Sequence, residues 1–212
     1  MNLPTNSEII AFLNNLFQAN TDFKFKYNDS FFDKISDAQN PKITIVKCSD
    51  SRVQIESFYK TPQNEVFIIR NIGNQLLNNE GSVDFGIEVL KTPLLLIVGH
   101  SDCGAVNAVL NKVKTNIPSI DKELSCLKIA SNNIKDAVVD NVSMQVGYAM
   151  DKYSAKVLAN ELTIIGAIYD FKNDYGFGTG RIILHSVNGI KDSNLITKTY
   201  SDKLSKFNFL KN

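Results

Sequence analysis

Four stretches of the chain are almost wholly apolar and favour β structure: Ile43-Thr44-Ile45-Val46, Val66-Phe67-Ile68-Ile69, Leu94-Leu95-Leu96-Ile97-Val98 and Leu162-Thr163-Ile164-Ile165-Gly166-Ala167-Ile168-Tyr169. None alternates apolar with polar, so each reads as a strand buried on both faces. The first strand is predicted from Lys42 to Lys47, after the break at Gln39-Asn40-Pro41, and the third ends at Val98 with Gly99 as its turn. Between the strands apolar residues recur at helical spacing. Ser51 to Phe58 is predicted helical; Gly81-Ser82 introduce a helix carrying Val83, Ile87 and Leu90; Ala105 to Lys114 is another, with Val106, Val109, Leu110 and Val113 inward. From Ile120 to Leu162 the pattern is helical throughout, with Leu124, Leu127, Ile129, Ile134, Val138, Val142, Val146 and Met150 inward. Three glycines in Asn173 to Gly180 precede a fifth strand, Arg181 to Val187, which a hairpin would make antiparallel at the sheet edge; a last helix follows from Asn194. At the other end Thr5 and Glu8 form a capping box before Ile9, Ile10, Leu13, Leu16 and Phe17. Asp29 or Ser30 then caps a short helix with Phe31, Phe32 and Ile35 inward.

The alternation of strand and helix predicts an α/β fold built of right-handed β-α-β units. It is a mostly parallel sheet of about four strands plus an antiparallel edge strand, flanked by helices. Residues 1–38 form a helical arm on a single domain spanning 1–212, and the arm's apolar face can lie on its own domain or on a neighbouring subunit. At 212 residues and 43% hydrophobic content one domain with a sizeable core is expected. The formal charge of +1 gives no reason to expect a nucleic acid or a membrane surface as partner. No apolar run approaches the roughly 20 residues of a spanning helix, and the first residues do not read as a signal peptide. Three cysteines are too few and too odd for a disulfide framework, so a reducing, cytoplasmic setting is expected.

Ligands of parallel sheets collect at the carboxyl ends of strands. Two polar stretches stand there: Cys48-Ser49-Asp50-Ser51-Arg52 after the first strand, and His100-Ser101-Asp102-Cys103-Gly104 after the third. Two thiols and one imidazole, Cys48, Cys103 and His100, make a three-ligand set for zinc, with a fourth position open for water or a carboxylate, as in catalytic sites. Cys103, in a first helical turn, would have its thiolate favoured by the macrodipole. The plainer readings are that both cysteines are small buried hydrophobes or that they form a disulfide. An extended chain would send Cys48, Asp50 and Arg52 out on one face and set a carboxylate and a guanidinium beside the metal; alternatively Asp50 caps a helix and Arg52 is a surface charge. Gly176 to Gly180 lacks a lysine and a following helix and reads as a hairpin loop rather than a phosphate cradle. Cys126 and His185 read as packing residues.

In register, C-S-D-S-R-V, R-N-I-G-N and G-H-S-D-C-G-A-V resemble the signature of the β-class carbonic anhydrases. The motifs run from about Gln39 to Val109, with a looser match at Gly166-Ala167-Ile168-Tyr169-Asp170. The resemblance implies zinc on Cys48, His100 and Cys103, an Asp50–Arg52 dyad beside it, and reversible hydration of carbon dioxide to bicarbonate and a proton. It implies that Gln39 hydrogen-bonds substrate and that Phe67, Ile72, Phe85 and Gly104 belong to the pocket. Asp50 is expected as a fourth ligand in a closed state. Phe85 stands where many members have tyrosine, so a contact needing that hydroxyl is not carried over. The chain has no tryptophan, so neither is the tryptophan-containing bicarbonate site of some members. Homodimers or homotetramers are implied, with the arm wrapping a neighbour. Two rival functions share the ligand set: carbon disulfide or carbonyl sulfide hydrolysis, and a non-catalytic zinc module with Asp50 permanently on the metal.

Overall fold

The computed structural model describes residues 3–200 and 205–210, in two units, residues 1–39 and 40–212. In the first, α1 (Asn6–Lys26) begins at the expected capping box, Thr5 accepting from the Glu8 amide and Glu8 from the Thr5 amide. It runs nine residues past Phe17, to Lys26. The cap of α2 (Asp29–Ser36) is Asn28 rather than Asp29 or Ser30, its side chain accepting from the Phe31 amide.

The second unit is built on a five-stranded sheet of order β2-β1-β3-β4-β5, with β1 Ile43–Cys48, β2 Val66–Asn71, β3 Leu94–His100, β4 Thr163–Asp170 and β5 Arg181–Val187. The first four are parallel and β5 is antiparallel to β4, as the apolar runs and the glycine-bearing hairpin predict. One sheet face carries the main core, where Val46, Leu95, Ile97, Ile164 and Ile168 meet Ala137, Val138, Val142, Val146 and Ala149 of a long helix. The opposite face presents Ile43, Ile45, Ile68, Leu96, Val98 and Ile182 with Phe58 and Tyr59.

The helical segments are shorter and more broken than the periodicity predicts. They are α3 (Glu80–Asp84), continued by a π-helical turn Phe85–Val89, then α4 (Gly104–Leu110), α5 (Pro118–Leu124), α6 (Ile134–Lys152), α7 (Ser154–Leu158) and α8 (Ser193–Tyr200). The run from Ile120 to Leu162 is interrupted because polar side chains take the backbone amides. Asp140 accepts from the amides of Ala130 and Ser131, and Asn133 caps α6 through the Asp136 amide. Ser51 to Phe58 is not a helix; only Ile55–Ser57 makes a 3-10 turn. Side chains from the sheet claim carbonyls at the start of this stretch and just before it. Arg70 donates to the carbonyl oxygens of Cys48, Asp50 and Val53, and the buried Lys47 Nζ donates to Val53 as well.

Strand β3 does not end at Val98 but continues through Gly99 to His100. A Cβ on Gly99 would lie 2.5 Å from Val142 Cγ2, and one on Gly166 would lie 2.9 Å from Val146 Cγ2. Glycine at these two strand positions lets α6 press against the sheet. Gly99→Ala should therefore destabilise the fold by about 1–3 kcal/mol, as overpacking does. Urea unfolding checks this, and an unchanged midpoint would mean that α6 has slack the contact distances deny.

Candidate metal centre and active site

Strands β1 and β3 are neighbours in the sheet, so their carboxyl ends deliver Cys48 and His100 side by side. The turn after β3 returns Cys103 to the same spot. The metal-binding atoms of Cys48, His100 and Cys103 all lie within 4.8 Å of one another, and all three residues are buried. Cys103 is the N-cap of α4 rather than a residue of its first turn, and Gly104 is the first helical residue. The two sulfurs are 4.0 Å apart and all three cysteines are free, which excludes a disulfide as the reason for the pairing.

The donor set fits zinc. His100 Nδ1 lies 2.9 Å from the Ser101 carbonyl oxygen, which can only accept, so Nδ1 carries the proton and Nε2 keeps its lone pair. Among the described residues Nε2 is fully buried and has no hydrogen-bond partner, as a ligand atom awaiting a cation would be. The thiols titrate as a pair. Cys48 is held well below the usual thiol range, first by the Cys103 hydrogen bond, with help from the Gly73 amide 3.4 Å from its sulfur. Cys103 is pushed up by that same bond and by burial. A divalent cation removes the conflict by favouring both thiolates.

Asp50 and Arg52 are brought together by a turn, not by an extended chain. The Arg52 amide donates to Asp50 Oδ1 at 2.9 Å, closing an Asx turn, and the guanidinium returns to the same carboxylate through Nε at 3.0 Å and Nη2 at 2.7 Å. Capping and ion pairing are thus one arrangement. The Arg52 hydrogen bond holds the Asp50 carboxyl down at about 2, so it is ionised at neutral pH. Asp50 Oδ2 is 3.9 Å from His100 Nε2, at the edge of the ligand cluster.

The expected pocket residues are spread more widely. Ile72 is half-buried in the loop after β2, lining a cleft of about 430 Å³ with Asn71, Ser119 and Ile120. A Cβ on Gly104 would meet nothing within 4 Å, so space alone does not demand glycine there. Phe67 pairs with Thr44 in the sheet, about 13 Å of strand before Cys48, with the Phe85 ring 5.9 Å from its own. Along the sheet these two rings thus stand back from the strand mouth that carries Cys48. Gln39 is exposed and closes the amino-terminal unit.

Of the two residues read as packing, His185 is buried, at the register shift between β4 and β5, with Nε2 2.8 Å from Ser143 Oγ. Burial pulls its pKa down to about 4. Cys126 is half-exposed just beyond α5, and its thiol donates to the Lys122 carbonyl; the helical run that would have buried it has already ended. Two features escaped sequence reasoning. Lys47 is buried in mid-strand, its pKa lowered by burial to about 8. Phe171 lies against both Arg52 and His100, and its only signal was an aromatic residue directly after Tyr169-Asp170.

The family described as carbonic anhydrase matches residues 43–176. The match includes the whole segment from Lys114 to Asn160, which the short motifs leave uncovered. The carbonic anhydrase of Candida albicans is 30% identical over 175 residues, 80% of this chain and 59% of that protein. Beta carbonic anhydrase 3 of Arabidopsis thaliana is 26% identical over 174 residues, 69% of this chain and 67% of that one. The chain thus spans only about six-tenths of the Candida relative's length. Among solved structures, one of the tetrameric beta-carbonic anhydrases of Sordaria macrospora aligns with a TM-score of 0.69 at 23% identity, over 85% of this chain and 97% of that one. The Coccomyxa beta-carbonic anhydrase, in complex with acetazolamide, aligns with a TM-score of 0.65 at 24% identity, over 88% and 91%. Those likenesses speak for the fold, and the family match adds the sequence that carries the ligand cluster. By sheet order, ligand set and family match together, the chain belongs to the β class of the carbonic anhydrases.

Proposed function

We propose that the protein catalyses the reversible hydration of carbon dioxide to bicarbonate and a proton. The observation that carries this reading is the Cys48-His100-Cys103 cluster with an Arg52-bound carboxylate, that of Asp50, 3.9 Å from His100 Nε2. When bound, zinc supplies a hydroxide nucleophile near neutral pH by lowering the pKa of water to about 7. The rest falls to the chain. Asp50, ionised through its bond to Arg52, has no proton to give and can only accept one. A hydroxyl that donates to it must turn a lone pair elsewhere, toward the carbon of a substrate set beside it. If Asp50 left Arg52 for the cluster it would be a fourth ligand and close the site. Carbon dioxide is apolar and needs no charged anchor; Ile72, Gly104, Phe67 and Phe85 are proposed as its pocket.

Because Phe67 and Phe85 lie away from the cluster of their own chain, we assign them to the site of a second copy. A dimer or tetramer follows, in keeping with the tetrameric Sordaria relatives. The sheet face opposite α6 carries an apolar cleft of about 530 Å³ lined by Ile43, Ile45, Leu96 and Ile182, which supports such an assembly. Removing residues up to Phe17 should weaken association and activity together; a full-length chain that sediments as an active monomer at micromolar concentration would overturn the assignment. Three free thiols fit a cytoplasmic setting.

Stopped-flow hydration of carbon dioxide with a pH indicator, run beside metal analysis, tests the activity. One zinc per chain without hydration at alkaline pH would favour the non-catalytic module.

A further inference from the structure

We infer that Phe171 is a positioning residue for the Arg52–Asp50 pair, holding the face of the guanidinium that hydrogen bonds cannot. The inference rests on the carbonic anhydrase reading for its activity measurement. The five N–H groups of a guanidinium lie in one plane. Those of Arg52 point to acceptors around that plane: Nε and Nη2 to Asp50, Nη2 also to the Asp102 carbonyl at 3.1 Å, with Nη1 3.7 Å from the Asp102 carboxylate. Such bonds resist sliding but oppose tilting out of the plane only weakly. The ring of Phe171 covers one face, its centroid 4.7 Å from Arg52 Cζ, within cation–π range. The Arg52 side chain is 48% exposed, so no surrounding core would otherwise stop a tilt.

Phe171 is itself well fixed. Its amide donates to Ser101 Oγ at 3.1 Å, and its ring stacks on His100 at 5.9 Å and 26°. The loop it opens is pinned by the fully buried Asp170, whose carboxylate accepts from the amides of Lys172, Asp174 and Tyr175. Asp102 competes with Asp50 for Arg52, and Lys172, 3.5 Å from the Asp102 carboxylate, offsets that pull. Three adjacent strand ends thus contribute: β1 the pair, β3 the competing acid, β4 the ring and the lysine.

Phe171→Leu keeps an apolar side chain but loses the ring; Phe171→Tyr keeps both. We expect Phe171→Leu to lower kcat/KM about 3- to 10-fold, the range of a partly desolvated cation–π contact. Phe171→Tyr should stay within about twofold of wild type, and both should hold as much zinc as wild type. Independently of turnover, the Arg52 Nε–H proton resonance of the full chain should carry a ring-current shift that Phe171→Leu removes and Phe171→Tyr retains. Loss of zinc in Phe171→Leu would overturn the inference, because the ring would then be acting through His100. So would an unmoved Arg52 resonance, or a failure of tyrosine to restore the rate. If wild type does not hydrate carbon dioxide, the functional reading fails and the Arg52 resonance alone decides this inference.

Discussion

Cys103→Ser should leave the protein with far less than one zinc per chain after gel filtration and with carbon dioxide hydration at the uncatalysed rate. Loss of partners behind a metal ligand already costs about 10- to 100-fold in affinity, so loss of a ligand should cost at least about 100-fold. Cys103 is 1% exposed and its sulfur lies 4.0 Å from that of Cys48, so the variant keeps one sulfur where the cluster had two. Cys126→Ser is the control. That thiol is half-exposed, outside the cluster, and bound only to a helix carbonyl, so the variant should retain full zinc. Elemental analysis of the two variants beside wild type decides the matter, and a Cys103→Ser protein with full zinc would remove the ligand assignment.

Arg52→Ala should separate metal binding from turnover. None of the three ligand atoms belongs to Arg52, so zinc should stay. Asp50 loses both guanidinium bonds and the direction they impose, and a misdirected acid–base group costs about 100- to 10,000-fold in rate. The variant also has a signature in acid stability. In wild type the Arg52 bond lowers the Asp50 pKa to about 2, against an unfolded value of about 3.9, so the pair stabilises the fold above pH ~4. That contribution is lost as pH falls through about 2. Arg52→Ala lacks it, so its thermal midpoint should lie below that of wild type near neutrality and the two should converge in strong acid. Calorimetry across that range checks the sign; a constant gap at every pH would mean that Arg52 stabilises by packing alone.

Much of this site could be read from the chain because parallel strands buried on both faces are written as unbroken apolar runs, which makes the polar residues at their ends conspicuous. Cys48, Asp50, Arg52, His100 and Cys103 fall there, and the structure gathers them. Segments in which side chains satisfy the backbone were less legible. Periodicity makes Ser51 to Phe58 look helical, but it cannot reveal that Arg70, on the neighbouring strand, takes the carbonyls of Cys48 and Asp50 just before that stretch and of Val53 within it. Likewise the helical run after Ile120 hides the break that Asp140 stabilises from ten residues away. Gly99 looked like a turn because glycine so often is one; its reason is the Val142 methyl group that lies where a side chain would begin. Phe171 went unnoticed since its partners, Arg52 and His100, are distant in sequence, and no spacing rule joins them.

The seam of missing side chains at Gly99 and Gly166 also divides the site by how its parts are held. Where α6 meets β3 and β4 without intervening atoms, backbone amides can exchange with solvent only when that whole block opens, so the strand that bears His100 belongs with the slowest-exchanging part of the molecule. Residues 49–54 have no such lock: their carbonyls hang on the reach of Arg70 and Lys47, and a single short 3-10 turn follows. Asp50 and Arg52 stand on that side-chain-held segment. The site thus joins a strand end locked by close backbone packing to a turn held by the bonds of distant side chains.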